Sequence, residues 1–109
     1  MKIAVAALNR STKSQVSSYP LRAPFLLLFD ESGGFLEAVD NPFKKAAHHK
    51  GYGLVRLLSD NMVDMFVARD FTPSMNRILN EAGITIKETE ADIIGSVEEC
   101  VSPVDTTPA

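Results

Sequence analysis

Short runs of consecutive apolar residues alternate with polar, turn-forming stretches along this chain. The first run, residues 3–8, has no polar position, which is typical of a strand covered on both faces of a sheet. A second run, residues 25–29, is followed by turn residues and then by a third run, a pattern that predicts an antiparallel hairpin. The strands predicted after the first two cover residues 35–40, 64–68 and 84–87.

Three other segments carry helical patterns. From Gly53 onward, apolar residues recur on one helical face as far as Met62. Thr72 and Pro73 combine an N-cap residue with a proline at the first helical position, and the helix that they open closes at Gly83. A capping box over residues 96–99 predicts a third, short helix.

The resulting order, βββαβαβα, predicts an α/β fold with one mixed sheet. Right-handed crossovers place the strands in the order 3-2-1-4-5 with strand 2 antiparallel, a ribonuclease-H-like three-layer arrangement with three helices. We expect one domain over residues 1–101 and a flexible tail over residues 102–109. Four strands then point the same way, so the loops that follow them gather at one edge of the sheet, where ligands of open α/β sheets bind.

Composition narrows the class of protein. The 109 residues suit one soluble domain, and a net charge of −3 gives no overall positive field that would favour nucleic acid or a membrane surface as partner. The apolar run at the N-terminus is too short for a signal peptide or a membrane span. Cys100 is the one cysteine and has no intramolecular partner, so we expect a cytoplasmic protein with Cys100 buried in the core.

Both histidines, His48 and His49, lie side by side in the segment KKAAHHKGYG. Imidazole is a common metal ligand, and the segment precedes a predicted helix at the functional edge. Adjacent side chains diverge, however, so the two histidines are not expected to bind one ion together. The alternative is that both are exposed loop residues without a metal.

Basic and polar residues are concentrated at the same edge. No acidic residue occurs between Asn41 and Ser59, a stretch with four basic residues, and the other loops add Asn9, Arg10, Arg22 and Arg69. Two predicted helix starts, after Gly51 and at Thr72, add backbone N–H groups that favour anions. The pattern predicts an anion site, and the alternative is a solvated basic surface.

Several short motifs, in order along nearly the whole chain, resemble the dinitrogenase iron-molybdenum cofactor biosynthesis family. They are Lys2-Ile3-Ala4-Val5-Ala6, Arg22-Ala23-Pro24, Asn41-Pro42, Gly51-Tyr52-Gly53, Pro73, Ala82-Gly83-Ile84 and Gly95-Ser96-Val97-Glu98-Glu99. Two departures fall in loops. Tyr19 stands where many members have histidine, and Thr72-Pro73-Ser74-Met75 stands where the family often has Gly-Pro-Asn-Ala.

The resemblance implies a non-catalytic carrier of an iron-sulfur or molybdenum-containing cluster, or of a cluster precursor. The residues expected to contact the cluster are Asn9, Arg10, Arg22, Gly51, Gly53 and Thr72, with His48 or His49 as metal ligand. The implied partners are the cluster or a small anion and proteins that assemble or accept the cofactor, and a homodimer is left open.

The sequence also bears on two other classes of function. Loss of the histidine at Tyr19 favours a degenerate family member that acts as an interaction or regulatory domain without metal. A two-metal nuclease, which the fold class also hosts, needs an acidic residue in the first strand, and residues 3–8 contain none. The sequence offers no pair of nucleophile and base, so we do not expect an enzyme.

Overall fold

The computed structural model describes residues 1–11, 15–17, 20–42 and 50–88. Within these ranges the strands are β1 (Lys2–Ala7), β2 (Phe25–Asp30), β3 (Phe35–Asp40), β4 (Met65–Ala68) and β5 (Thr85–Glu88). The helices are α1 (Lys50–Asp60) and α2 (Pro73–Glu81), and a short 3₁₀ helix covers Pro20–Arg22.

The five strands form one mixed sheet in the order β3-β2-β1-β4-β5, as the sequence predicts. β2 is antiparallel to both β1 and β3, whereas β4 is parallel to β1 and to β5. The α/β class, the strand order and the antiparallel second strand are therefore confirmed. The described residues contain two of the three predicted α-helices, since the segment predicted as the third lies outside the described ranges. The ribonuclease-H-like three-layer description stays a prediction.

Each face of the sheet carries its own apolar core. On one face, side chains of β1, β2 and β4 pack with α1 and α2, and Phe66, Leu54 and Leu79 are fully buried there. On the other face, Val5, Phe29 and Val67 are buried in a separate cluster that includes Val16. β1 contributes alternate residues to both clusters, which explains why its sequence is apolar throughout.

Helix α1 differs from its predicted bounds at both ends. It begins at Lys50, three residues before Gly53, and it ends at Asp60. The expectation that Met62 lies on the buried face is wrong: the chain has left the helix there, and Met62 has a φ of 61° and a side chain 76% exposed. Met65 and Met75, which also lie on apolar stripes of the sequence, are buried.

The β2–β3 hairpin turn is organised by one carboxylate. Oδ1 of Asp30 accepts hydrogen bonds from the Ser32 hydroxyl at 2.7 Å, the Gly34 N–H at 2.8 Å and the Ser32 N–H at 2.9 Å. These donors lower the pKa of Asp30, the Ser32 hydroxyl most of all. Gly34 approaches this carboxylate so closely that a Cβ there would lie 2.9 Å from Oδ2.

β3 also carries a bulge. Leu28 pairs with Glu37 and Phe29 pairs with Phe35, so Leu36 is an extra residue between two registered pairs. Phe35 and Leu36 are about half exposed on this outer strand.

None of the helices within the described ranges is both long enough and apolar enough to cross a membrane.

Candidate functional site

The carboxyl ends of β1, β3, β4 and β5 lie along one edge of the sheet, because these four strands run in the same direction. The segment at residues 15–17 also lies there: Val16 bridges to Ala7, and the Ser17 N–H donates to the Ala6 carbonyl at 2.9 Å. This is the edge at which the sequence predicts the ligand loops to gather.

A small cavity of about 170 Å³ opens at this edge, between the 3₁₀ helix and the start of α2. Its walls are mostly apolar, with Arg22 and Asp70 as the charged residues among the described lining. The lining consists of Pro20, Leu21, Arg22, Asp70, Phe71, Thr72 and Met75. The structure thus brings together two predicted site residues, Arg22 and Thr72, that are 50 positions apart in the chain.

Asn41 fixes the segment that carries Arg22. Asn41 is fully buried, and its side-chain amide donates to the Ala23 carbonyl at 2.9 Å and to the Leu21 carbonyl at 3.4 Å. The Asn41 N–H donates to the Pro24 carbonyl at 3.1 Å. A buried side chain whose donors are satisfied in this way holds its partners in one geometry, so Asn41 positions Arg22 without lining the cavity itself.

Thr72 is the N-cap of α2, as predicted. Its hydroxyl accepts a hydrogen bond from the Met75 N–H at 3.2 Å, and Pro73 occupies the first helical position. Since Pro73 has no N–H and the Met75 N–H is bonded to Thr72, the helix start offers an anion fewer N–H groups than its position alone suggests. The Thr72 hydroxyl accepts through its oxygen and can still donate its own hydrogen.

Two contacts of Phe71, one through its ring and one through its backbone N–H, fix the loop between β4 and α2. The Phe71 ring meets Phe66 edge-to-face, with ring centroids 5.6 Å apart, and the Phe71 N–H donates to Oε2 of Glu88 at 3.3 Å. These contacts anchor the loop to the core and to the end of β5. The wall of the cavity opposite Arg22 is therefore tied to the sheet.

Arg10 makes contacts that stabilise the hairpin. Its guanidinium lies 2.7 Å from Oδ1 of Asp40 and 5.0 Å from the centre of the Phe25 ring. Asn9 accepts a hydrogen bond from the Ser11 N–H at 2.9 Å and shapes the turn after β1. Neither residue is among the described residues that line the cavity.

Gly51 lies where α1 packs against α2. A Cβ at Gly51 would lie 3.3 Å from Cδ1 of Ile78 and 3.6 Å from the sulfur of Met75. The missing side chain therefore allows the two helices to approach closely, which is a structural reason for this glycine. Gly53 is half-buried in the first turn of the same helix.

The predicted metal ligands, His48 and His49, lie outside the described residues, as does Cys100. Within the ranges that are described, no three His, Cys, Asp or Glu side chains are grouped so that they could hold a metal ion. The cluster-binding roles of the histidines stay predictions.

Sequence reasoning did not identify three of the residues that shape the cavity. In the sequence, Asn41 is marked only by the Asn41-Pro42 motif of the family resemblance, although a polar residue just before a proline is of the type that often brackets a turn. Phe71 and Asp70 gave no signal of their own, because their place in the cavity depends on the tertiary packing of the β4–α2 loop against the 3₁₀ helix.

The chain matches the dinitrogenase iron-molybdenum cofactor family over residues 1–105, and it therefore belongs to this family. The family resemblance inferred from the short motifs is thus confirmed. No curated protein matches the chain significantly.

Several solved structures share its fold. The apo form of the orange protein from Desulfovibrio gigas superposes with a TM-score of 0.82 at 20% identity, covering 99% of this chain and 92% of that one. An NMR structure of a putative NifB protein from Thermotoga, described as a member of the DUF35 family, gives 0.79 at 21% identity, with 99% and 97% covered. The crystal structure of PH0822 gives 0.79 at 19% identity, with 100% and 96% covered. At these identities the likeness establishes the fold.

Proposed function

We propose that this protein is a non-catalytic carrier that binds an anionic iron-sulfur or molybdenum-containing cluster, or a precursor of one, at the carboxyl edge of its sheet. The observation that carries the proposal is the cavity that joins Arg22 to the start of α2 at this edge. Membership of the dinitrogenase iron-molybdenum cofactor family supports it.

The described residues suggest how an anion would be held there. The guanidinium of an arginine presents several N–H donors and is weakly hydrated for a cation, so Arg22 suits a polarisable anion. The Thr72 hydroxyl can donate to the same ligand, and Leu21 and Phe71 supply apolar wall to the cavity. The arrangement relies on charge and hydrogen bonds, and His48 or His49 is the proposed direct ligand to metal.

Reconstitution tests the proposal. The purified protein is incubated anaerobically with iron, molybdate and sulfide, desalted, and assayed for metal content and for absorption in the visible range. We expect a coloured protein with a defined metal ratio. A colourless wild-type protein without metal after this treatment would remove support for the cluster. If metal is retained, His48→Ala and His49→Ala show which histidine, if either, is a ligand.

A metal-free interaction or regulatory domain is the second candidate. Arg10, one of the cations expected to bind the cluster, is paired with Asp40, and no metal-binding group of three side chains is present in the described ranges. If this second function is correct, the purified protein is colourless. In a pull-down it then recovers a defined partner, such as a protein that assembles or accepts the cofactor. A coloured, metal-loaded preparation counts against it.

A further inference from the structure

A second, larger groove lies between helix α2 and strand β5. Its volume is about 670 Å³, and it shares no described lining residue with the Arg22 cavity. This volume is within the range of about 300–1,000 Å³ typical of ligand-binding clefts. The described lining consists of Asn76, Asn80, Gly83, Ile84, Thr85, Ile86 and Glu88.

One buried acceptor in this groove has no partner. The side-chain oxygen of Asn76 is inaccessible to solvent and accepts no hydrogen bond from the residues that the structure describes. Leaving a buried acceptor unpaired is unfavourable, so this position favours a ligand with a donor that the described part of the chain does not supply. Asn80 lies one helical turn further along and presents a second side-chain amide to the same groove.

The opposite wall of the groove is the outer strand of the sheet. Thr85 donates its N–H to the Asp64 carbonyl at 2.8 Å, so the main-chain groups of Thr85 face β4. Main-chain groups alternate sides along a strand, and the N–H and C=O of Ile86 therefore face away from β4. Among the described strands β5 ends the sheet on this side, which leaves the Ile86 groups available to another strand.

The charge of the groove selects the kind of side chain that fits. Among the described residues that line the groove, Glu88 is the charged one. One carboxylate oxygen of Glu88 accepts from the Phe71 N–H at 3.3 Å, and a carboxylate has a second oxygen that can accept from a ligand. Together with the oxygen of Asn76, this gives the groove two side-chain acceptors that complement a basic, donor-bearing side chain.

We propose that the groove between α2 and β5 binds an extended peptide segment of a partner protein that carries lysine or arginine. The segment adds to β5 as a further strand through the main chain of Ile86, the mode known as β-augmentation. On binding, the Asn76 side chain rotates so that its oxygen accepts a hydrogen bond from the peptide, and a basic side chain of the peptide pairs with Glu88. This site is separate from the Arg22 cavity and does not depend on a bound cluster.

The test is an NMR titration of the ¹⁵N-labelled full chain with acetyl-Val-Lys-Val-Lys-Val-Thr-Val-amide. We expect the largest shifts at the amides of Ile86 and Glu88 and at the side-chain amide of Asn76. A peptide with both lysines replaced by glutamate is expected to bind about tenfold more weakly or worse, because it opposes Glu88. A peptide with its central residues replaced by proline, which cannot donate to a strand, is expected not to bind.

The variant Asn76→Leu distinguishes an effect on peptide binding from an effect on the stability of the fold. This variant removes the unpaired acceptor, so we expect its stability to be maintained or raised and its affinity for the lysine peptide to fall about tenfold or more. Arg77→Gln, the next residue on the same helix, is the control and is expected to bind as the wild type does. Equal affinity of Asn76→Leu and wild type overturns the proposal, as do shifts spread over other surfaces. Shifts at Ile86 that depend on protein concentration without peptide would assign the groove to a second copy of the chain and overturn it as well.

Discussion

Met62 and Gly83 share the left-handed region of backbone conformation, with φ values of 61° and 79°. Glycine adopts this region freely, whereas a residue with a Cβ is strained there by about 1–2 kcal/mol. Gly83→Ala is therefore expected to destabilise the protein by about 1–2 kcal/mol, although a Cβ at Gly83 would meet no atom within 4 Å. Met62→Gly is expected to stabilise it, by up to about 1 kcal/mol. Urea unfolding of the two variants checks the opposite signs, and a change of the same sign in both would refute the backbone explanation.

Arg22 and Arg10 make different contacts although the sequence offers both as cluster contacts. Arg22 lines the cavity, and Arg10 pairs with Asp40 at 2.7 Å. If the proposed cluster binds in the cavity, Arg22→Gln is expected to weaken retention of the reconstituted cluster about tenfold or more, because a charged hydrogen bond is worth about 1.5–3 kcal/mol. Arg10→Gln is the matched control and is expected to retain the cluster. Metal content after serial dilution measures both, and equal loss in the two variants would contradict this division of roles.

The site was predictable in part at the scale of single residues. Arg22 and Thr72 are predicted from the basic and helix-start residues at the carboxyl edge together with the family resemblance, and they do line one cavity. The roles of Asn41 and Phe71 were not predicted. Each role depends on a neighbour that only the tertiary structure supplies: a backbone carbonyl for the Asn41 amide and an aromatic ring for Phe71.

At the scale of elements, helix α2 depends on its first residue. Thr72 bonds the Met75 N–H, and Pro73 is already in helical geometry. Thr72→Ala is expected to lower stability by about 1 kcal/mol, whereas Thr72→Ser keeps the hydroxyl and is expected to stay within a few tenths of wild type. Urea unfolding monitored by circular dichroism checks this, and an equal loss in both variants would mean that the methyl group, rather than the cap, matters.

The β2–β3 turn gives the hairpin a dependence on pH. The hydrogen bonds from the Ser32 hydroxyl and from the Gly34 and Ser32 N–H groups lower the pKa of Asp30 in the folded protein. A carboxyl group with a lower pKa in the folded state stabilises the fold fully above its unfolded pKa, and this contribution is lost as the pH falls through the folded value. We expect Asp30→Asn to be less stable than wild type near pH 7, and the difference to shrink below about pH 4. Unfolding curves at several pH values measure it, with Glu81→Gln, which changes an exposed carboxylate on α2, as control. A difference that is constant from pH 7 to pH 2 would rule out this role.

Element boundaries were harder to predict than element types. The cap and closing glycine of α2 mark it clearly, and its predicted start is confirmed. α1 begins at Lys50, earlier than its apolar pattern, and its first turn holds Gly51, which lies close to α2, and the exposed Tyr52, neither of which extends the buried apolar pattern.

At the scale of the whole molecule, stability rests on the side chains buried against the sheet. Phe66, on β4, is fully buried in the core that the sheet forms with the two helices, whereas Phe35, on β3, is 45% exposed. Phe66→Ala is expected to cost about 3–5 kcal/mol, a large part of the typical total of about 5–15 kcal/mol. Phe35→Ala, with the same change in chemistry, is expected to cost much less. Thermal and urea unfolding compare them, and similar losses would show that burial does not decide the effect.

The strand order could be predicted because each rule behind it is local or topological: apolar runs, turn residues and right-handed crossovers. The two-sided burial of β1 follows from the same run of residues 3–7. The histidines and the third predicted helix lie outside the described residues, so the prediction for them rests on sequence alone.

The bulge at Leu36 also bears on how the protein behaves at high concentration. β3 is an outer strand with two exposed apolar side chains, Phe35 and Leu36, and such a strand can pair with neighbouring molecules and begin a fibril. The extra residue breaks the regular spacing of its outward N–H and C=O groups, so an incoming chain cannot keep continuous register along it. The irregularity therefore acts as a safeguard against aggregation at the side of the sheet opposite to β5.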